Sequence, residues 1–253
     1  MTTYDNRMTI IQAILLGIIE GITEFLPVSS TGHMILASAL MKMQEDDFVK
    51  TFEIAIQIGA ILSVLSIYYK RFFVSADIYL KLFVAFLPTG IIGFLAYKTI
   101  KTYLFNEYVV SMALIAGGVL LILLDKWTEK KPRNGGVPSV EKITFKGSFQ
   151  IGLFQCISMI PGVSRAAATI FGGIFAGFNR VQAAEFSFLL AIPTMFAATG
   201  YDLLKSSTSF SNDEWILLIV GLVVSFISAL IAVKAFVAFL TKYGFRHFGY
   251  YRI

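Results

Sequence analysis

The chain has 253 residues, of which 57% are hydrophobic and only 15% charged, and its net charge is +5. A soluble domain carries about a quarter charged residues, so this composition excludes a water-facing globular fold and makes lipid the expected solvent. The Lys and Arg lie in short stretches between apolar runs, the pattern of membrane topology signals, which excludes a basic nucleic-acid face, and a lone cysteine, Cys156, excludes an intrachain disulfide.

In chain order, Met1–Met8 carries one Arg and is followed by no small-residue cleavage site, so the first helix is expected to remain. Ile10–Leu26 is apolar but stops at Pro27, and Met34–Met43 is only ten residues long. Three spanning candidates follow, Phe52–Tyr69, Ile78–Tyr97 and Tyr108–Leu124, each near the roughly 20 residues that cross a bilayer. Phe145–Ile160 then stops at Pro161, and Ala166–Phe178 has thirteen residues. Two more spans complete the chain: Ala183–Gly200, interrupted by Pro193, and Trp215–Thr241. Short helices in pairs, joined by a Pro-Ser-rich break, predict re-entrant hairpins, and their broken backbone is tolerable only inside protein or beside a wet cavity. The expected fold class is an all-α polytopic membrane protein forming one domain over residues 1–253.

The two hairpins repeat one another. Gly17-x-x-Glu20-x-x-Thr23 matches Gly152-x-x-Gln155-x-x-Ser158, and Pro27-x-x-Ser30 matches Pro161-x-x-Ser164 after a one-residue gap. His33 precedes Glu53, and Arg165 precedes Glu185, by the same twenty residues. Repeat one is expected over 8–125, a cytoplasmic loop over 126–144 and repeat two over 145–253. Three crossings separate the hairpins, so the repeats are expected to be inverted, with the site near the midplane where they meet. The second half shows one crossing fewer, so a final helix is expected after residue 253. Thirteen Lys and Arg lie on one side of this topology, counting Arg252, against six on the N-terminal side. The excess predicts an external N-terminus and a cytoplasmic opposite face.

The densest polar cluster in any apolar region runs from Glu20 to His33. Glu20 and Glu24 are one helical turn apart, about 6 Å on one face, and two charges so placed in a low dielectric require a shared proton or a bound cation. Hard divalent cations such as Mg²⁺ or Ca²⁺ take carboxylate oxygens and share their shell with phosphate. Ser29, Ser30 and Thr31 follow the break, where hydroxyls either cap freed backbone or do chemistry. His33 lies nine residues beyond Glu24, across a break able to fold it back toward the carboxylates for proton transfer. In the second hairpin Ser164-Arg165 puts a guanidinium between apolar runs, where it pairs with an internal glutamate or clamps a phosphate. Glu53 and Glu185 stand near the starts of their helices, where the helix dipole favours an anion.

At these residues the chain resembles the bacterial undecaprenyl-diphosphatase family of the bacitracin-resistance type. Glu20-Gly-Ile-Thr-Glu24-Phe-Leu-Pro-Val-Ser-Ser-Thr-Gly-His33 matches its glutamate-rich motif, and Pro161-Gly-Val-Ser164-Arg165-x-x-x-Thr169 its second motif. The chain departs from the family at Ala166-Ala167-Ala168, where Ser-Gly-Ala is usual. The resemblance implies a bacterial inner-membrane hydrolase that removes the terminal phosphate of undecaprenyl diphosphate, recycling the carrier lipid of cell-wall synthesis. It also implies dependence on Mg²⁺ or Ca²⁺, a site open to the outer face and a further helix beyond residue 253. Taken with the residues, it gives Glu20 and Glu24 to the metal, and Arg165, Ser164, Ser29 and Thr31 to substrate. Ser30, His33 or an activated water remains as nucleophile. The partners expected are a polyprenyl diphosphate and the bilayer, with a homodimer left open. The competing reading is a transporter or lipid flippase, since inverted repeats with broken helices also build carriers.

Overall fold

Capping side chains set where five of the helices begin, and the Pro-Ser segments set where the two hairpins break. The computed structural model describes residues 8–43, 47–74, 76–104, 106–129, 139–205 and 210–253. The expected external segment before Met8 and residues 130–138 of the expected cytoplasmic loop lie outside them. Helix α1 (Ile10–Thr23) starts at a capping box in which the Thr9 hydroxyl accepts from the Gln12 amide and the Gln12 side chain accepts from Thr9 N. The chain breaks around Pro27 and restarts as α2 (Ser30–Leu40). Three longer helices follow, α3 (Asp47–Tyr68), α5 (Asp77–Tyr103) and α6 (Glu107–Glu129), with one short turn, α4 (Arg71–Val74), between the first two. The second hairpin is α7 (Phe145–Ile157), capped by Thr144, and α8 (Arg165–Phe175). Then come α9 (Arg180–Lys205), α10 (Asn212–Tyr243), which starts at a Ser211–Glu214 capping box, and the short α11 (Arg246–Arg252).

Five helices, α3, α5, α6, α9 and α10, are long and apolar enough to cross a membrane, and no strand occurs among the described residues. The all-helical polytopic architecture is therefore as expected. Pro193 does not interrupt its helix: α9 runs through it, and the next residue, Thr194, donates its hydroxyl to the Leu190 carbonyl at 2.8 Å. Glu53 and Glu185 are not first-turn residues either, because α3 begins at Asp47 and α9 at Arg180. Their partners are side chains: Ser38 donates to Glu53, and Arg71 pairs with Glu185 at 2.8 Å.

The first helix of each hairpin packs on a long helix from the other half of the chain, α1 on α10 and α7 on α5. Close approach makes this possible. A Cβ on Gly21 would strike the Ser225 carbonyl, and one on Gly152 the Ala85 carbonyl, the small-residue contact by which helices associate without a hydrophobic drive. α3 and α9 then meet between the hairpins. Phe25, fully buried beside the first break, packs edge-on against Phe188 of α9 at 5.7 Å, which carries Glu24 toward the second half.

Arg252 does not belong among the loop charges used to orient the chain. Its side chain is buried, with 6% exposure, between the two hairpin breaks and α6.

Candidate functional site

Both breaks end in the same strained device. Ser29 has φ 71° and Ser164 φ 75°, two of the three non-glycine residues with positive φ among those described. Each is an N-cap: the Ser29 hydroxyl accepts from Gly32 N at 3.4 Å, and the Ser164 hydroxyl from Ala167 N at 3.2 Å. The cap pairs Ser29 with Ser164, whereas matching on proline had paired Ser30 with Ser164. In this register the first helical residues, Ser30 and Arg165, correspond.

A cavity of about 190 Å³ lies where the hairpin ends meet. Glu24, Ser29, Ser30 and Thr31 line it from the first hairpin, and Ser164 and Arg165 from the second. It has room for several waters and is on the scale of a diphosphate head group. Within it the Ser30 hydroxyl donates to Glu24 Oε2 at 2.5 Å, and Arg165 Nη2 donates to Glu24 Oε1 at 2.8 Å. Arg165 also donates from Nη1 to the Ser187 carbonyl at 3.2 Å, and its guanidinium stands 5.4 Å from the centre of the Phe25 ring. Its Nε is buried and has no hydrogen-bond partner among the described residues.

Glu20 lies behind this wall. It is 1% exposed, one helical turn from Glu24, and its Oε1 has no hydrogen-bond partner among the described residues. Two carboxyl groups one turn apart in a low dielectric cannot both stay charged without a proton or a cation between them.

His33 is not among the residues lining the cavity. Its Nδ1 is 2.8 Å from the Ser29 carbonyl, and its Nε2 is 2.8 Å from the Tyr251 hydroxyl. A carbonyl only accepts, so Nδ1 donates to it, and in the neutral ring Nε2 accepts from Tyr251. The Ser30 hydroxyl is thus bonded to Glu24 and not to the imidazole.

Residues that sequence reasoning passed over complete the cavity: Gln57 of α3, Ser158 after α7, and Thr194, Met195 and Ala198 of α9. Gln57 accepts from Thr199 at 3.2 Å, and Gln155 donates to Thr194 at 3.3 Å and to Thr89 at 2.9 Å. A glutamine in the middle of an apolar span was the available signal for Gln57. Ala166 is fully buried and does not line the cavity, so the missing hydroxyl there is no loss to its wall.

Comparison with known proteins agrees with the motifs. Residues 13–253 match the family described as bacitracin resistance protein BacA. An undecaprenyl-diphosphatase of Aquifex aeolicus is 53% identical over 247 residues, covering 97% of this chain and 95% of the relative. One from Wolinella succinogenes is 54% identical with the same coverage, and one from Bdellovibrio bacteriovorus is 52% identical over 97% of this chain and 93% of its own.

Proposed function

The chain belongs to the family of bacitracin resistance protein BacA and is an undecaprenyl-diphosphatase of the membrane, and from that premise we propose how its residues remove the terminal phosphate. The observation that carries the reading is the unbroken chain Ser30–Glu24–Arg165 along one wall of the cavity. Ser30 Oγ attacks the terminal phosphorus. The Oγ–P bond forms as the bond to the bridging oxygen breaks, and the serine proton passes to Glu24. Undecaprenyl phosphate leaves with the bridging oxygen and requires no proton. Water then attacks the phosphoserine: its oxygen, keeping both protons, bonds to phosphorus as the Oγ–P bond breaks, and Glu24 returns its proton to Ser30 Oγ, so that dihydrogen phosphate leaves. Arg165, Ser164, Ser29 and Thr31 bind the phosphate oxygens. Positioning and charge neutralisation are most of what phosphoryl transfer requires.

The acidic pair fits a hard divalent cation, Mg²⁺ or Ca²⁺. A buried carboxylate oxygen without a partner beside a second carboxylate is a donor set for such an ion. No group of three or more His, Cys, Asp or Glu able to hold a metal occurs among the described residues. Glu20 and Glu24 would hold the ion as a pair, leaving other positions to phosphate oxygens and water. When bound, it neutralises charge on the diphosphate. Both hairpins belong to one chain, so the cavity wall is formed within a single subunit. The exchange of α1 and α7 between halves supports an inverted duplication, and the charge asymmetry supports an external N-terminus with the cavity reached from the outer face of the inner membrane.

The test is to trap the intermediate. With ³²P-labelled polyprenyl diphosphate in detergent, acid quenching should leave label on Ser30 and none in Ser30→Ala, which should be inactive. Label on His33 would overturn this assignment. Full turnover by Ser30→Ala would do the same and favour direct attack by water.

A further inference from the structure

Arg252 is the last residue of α11 and has no carboxylate partner among the described residues. An unpaired buried guanidinium is costly at membrane depth, yet each of its five N–H donors is used on a backbone carbonyl. Nη1 donates to Pro27 at 3.2 Å and Val163 at 3.0 Å, Nη2 to Gly162 at 2.6 Å and Ala113 at 3.1 Å, and Nε to Leu114 at 3.2 Å. Pro27 belongs to the first break, Gly162 and Val163 to the second, and Ala113 and Leu114 to α6. Broken backbone at this depth leaves carbonyls that a helix would otherwise satisfy. One side chain serves both breaks and anchors them to a third helix.

The tied carbonyls stand immediately before the working residues. Pro27 is three residues from Ser30, and Gly162 is three from Arg165. We propose that Arg252 is a positioning residue for the phosphatase reaction, whose guanidinium joins the two hairpin breaks and so holds Ser30 and Glu24 in register with Arg165. The neighbouring Tyr251 works on the same segment, through its bond to His33, which in turn holds the Ser29 carbonyl. The proposal rests on Ser30, Glu24 and Arg165 forming one site. Misplacement of reacting groups by about 1 Å can cost roughly 100-fold in rate, so the effect belongs in kcat more than in KM.

Two substitutions reach the tie from different directions. Arg252→Lys keeps the charge, but its three donors on one nitrogen cannot span carbonyls from three segments. Gly117→Ala leaves Arg252 in place but puts a Cβ 2.7 Å from its Cζ, displacing the guanidinium from α6 without touching either hairpin. Both variants of the full chain would be purified in detergent, with kcat, KM and thermal unfolding measured per folded molecule. In Arg252→Lys, kcat should fall roughly 10- to 100-fold while KM changes less than about threefold. Gly117→Ala should lower kcat in the same sense, and the double variant should lose little beyond Arg252→Lys, because both act through one group. Unchanged kcat per folded molecule in both, with only yield or melting temperature reduced, overturns the proposal and makes Arg252 a purely structural tie. If Arg252→Lys does not fold, Gly117→Ala decides alone: a fall in kcat supports the proposal and an unchanged kcat overturns it. Ser30→Ala and Arg165→Lys, assayed beside them, separate the two readings, since activity in those variants would sink the site itself whatever Arg252 does.

Discussion

Replacing Arg165 by Lys separates a phosphate clamp from an internal ion pair. In the resting site Arg165 spends Nη2 on Glu24 and Nη1 on the Ser187 carbonyl, and its Nε has no partner among the described residues. Nη1 also carries a second N–H beyond the one on Ser187, so the same residue can keep Glu24 in place and still donate to an arriving oxygen. A lysine ammonium reaches one of these acceptors as a point charge and cannot present a planar fork. The loss of one charge-assisted hydrogen bond is worth about 1.5–3 kcal/mol, which corresponds to roughly a 10- to 150-fold fall in kcat/KM. Phosphate release from a polyprenyl diphosphate in detergent, normalised to monodisperse protein, measures it. The reasoning is wrong if Arg165→Lys stays within about threefold of the parent while Arg165→Ala loses thermal stability. Arg165 would then be a structural counter-ion to Glu24 and nothing more.

Glu20→Gln should leave the fold intact, because it relieves the contact between two acids, yet shift the metal dependence of turnover to higher Mg²⁺ or Ca²⁺. Normal activity at ordinary Mg²⁺ would remove Glu20 from the metal site. In a Cys156→Ser background, a cysteine placed at 134 should resist an impermeant thiol reagent in whole cells and one at 208 should react; the reverse pattern would invert the topology. At the rim, burial opposes the Glu141 carboxylate, but hydrogen bonds from its backbone and Ser139 together with Arg71 hold it below the ordinary 4.5. A lowered folded value stabilises the protein above the unfolded pKa and is lost as pH falls through the folded one. The melting difference between parent and Glu141→Gln should therefore be full near neutrality and shrink as pH falls below the ordinary glutamate range of about 4.3, and a difference that does not shrink on acidification would contradict the ion pair.

Sequence reasoning located what is encoded locally. Apolar runs of spanning length, stopped short by Pro27 and Pro161, gave the hairpins and the long helices to within a few residues, because both signals lie within the segment they describe. Contacts made between distant parts of the chain carry no such mark. Arg252 read as a loop charge because its acceptors are carbonyls at 27, 113, 114, 162 and 163, and a carbonyl is the same in every residue. Gln57 and Thr194 looked incidental until the packing of α3 on α9 put both on one cavity wall. His33 was placed by counting residues from Glu24, but the helical path after Ser29 turns its ring to the Ser29 carbonyl and Tyr251. The one-residue gap needed to align the prolines already marked a shift between the two breaks, and φ shows that the cap serines, Ser29 and Ser164, keep the ungapped register.

The paired cap serines allow stability and chemistry to be pulled apart. A non-glycine residue held at positive φ costs about 1–3 kcal/mol, and Ser29 and Ser164 are both held there. Glycine adopts that conformation without strain, and exchanging an N-cap serine for glycine costs only a few tenths of a kcal/mol. Glycine also loosens the unfolded chain, which takes back about 0.4–1 kcal/mol. Ser29→Gly and Ser164→Gly should each therefore be neutral or stabilising, by up to roughly 2 kcal/mol at the favourable limit of those terms. A serine that only caps its helix predicts unchanged turnover alongside that gain. A hydroxyl that also touches phosphate oxygens, as their place on the cavity wall implies, predicts a fall of roughly 10-fold in kcat/KM in a protein that melts no lower than the parent. Melting curves and phosphate release on the same preparations separate the two. Full activity in both variants would return the serines to capping alone and leave Ser30, Glu24 and Arg165 to act without them.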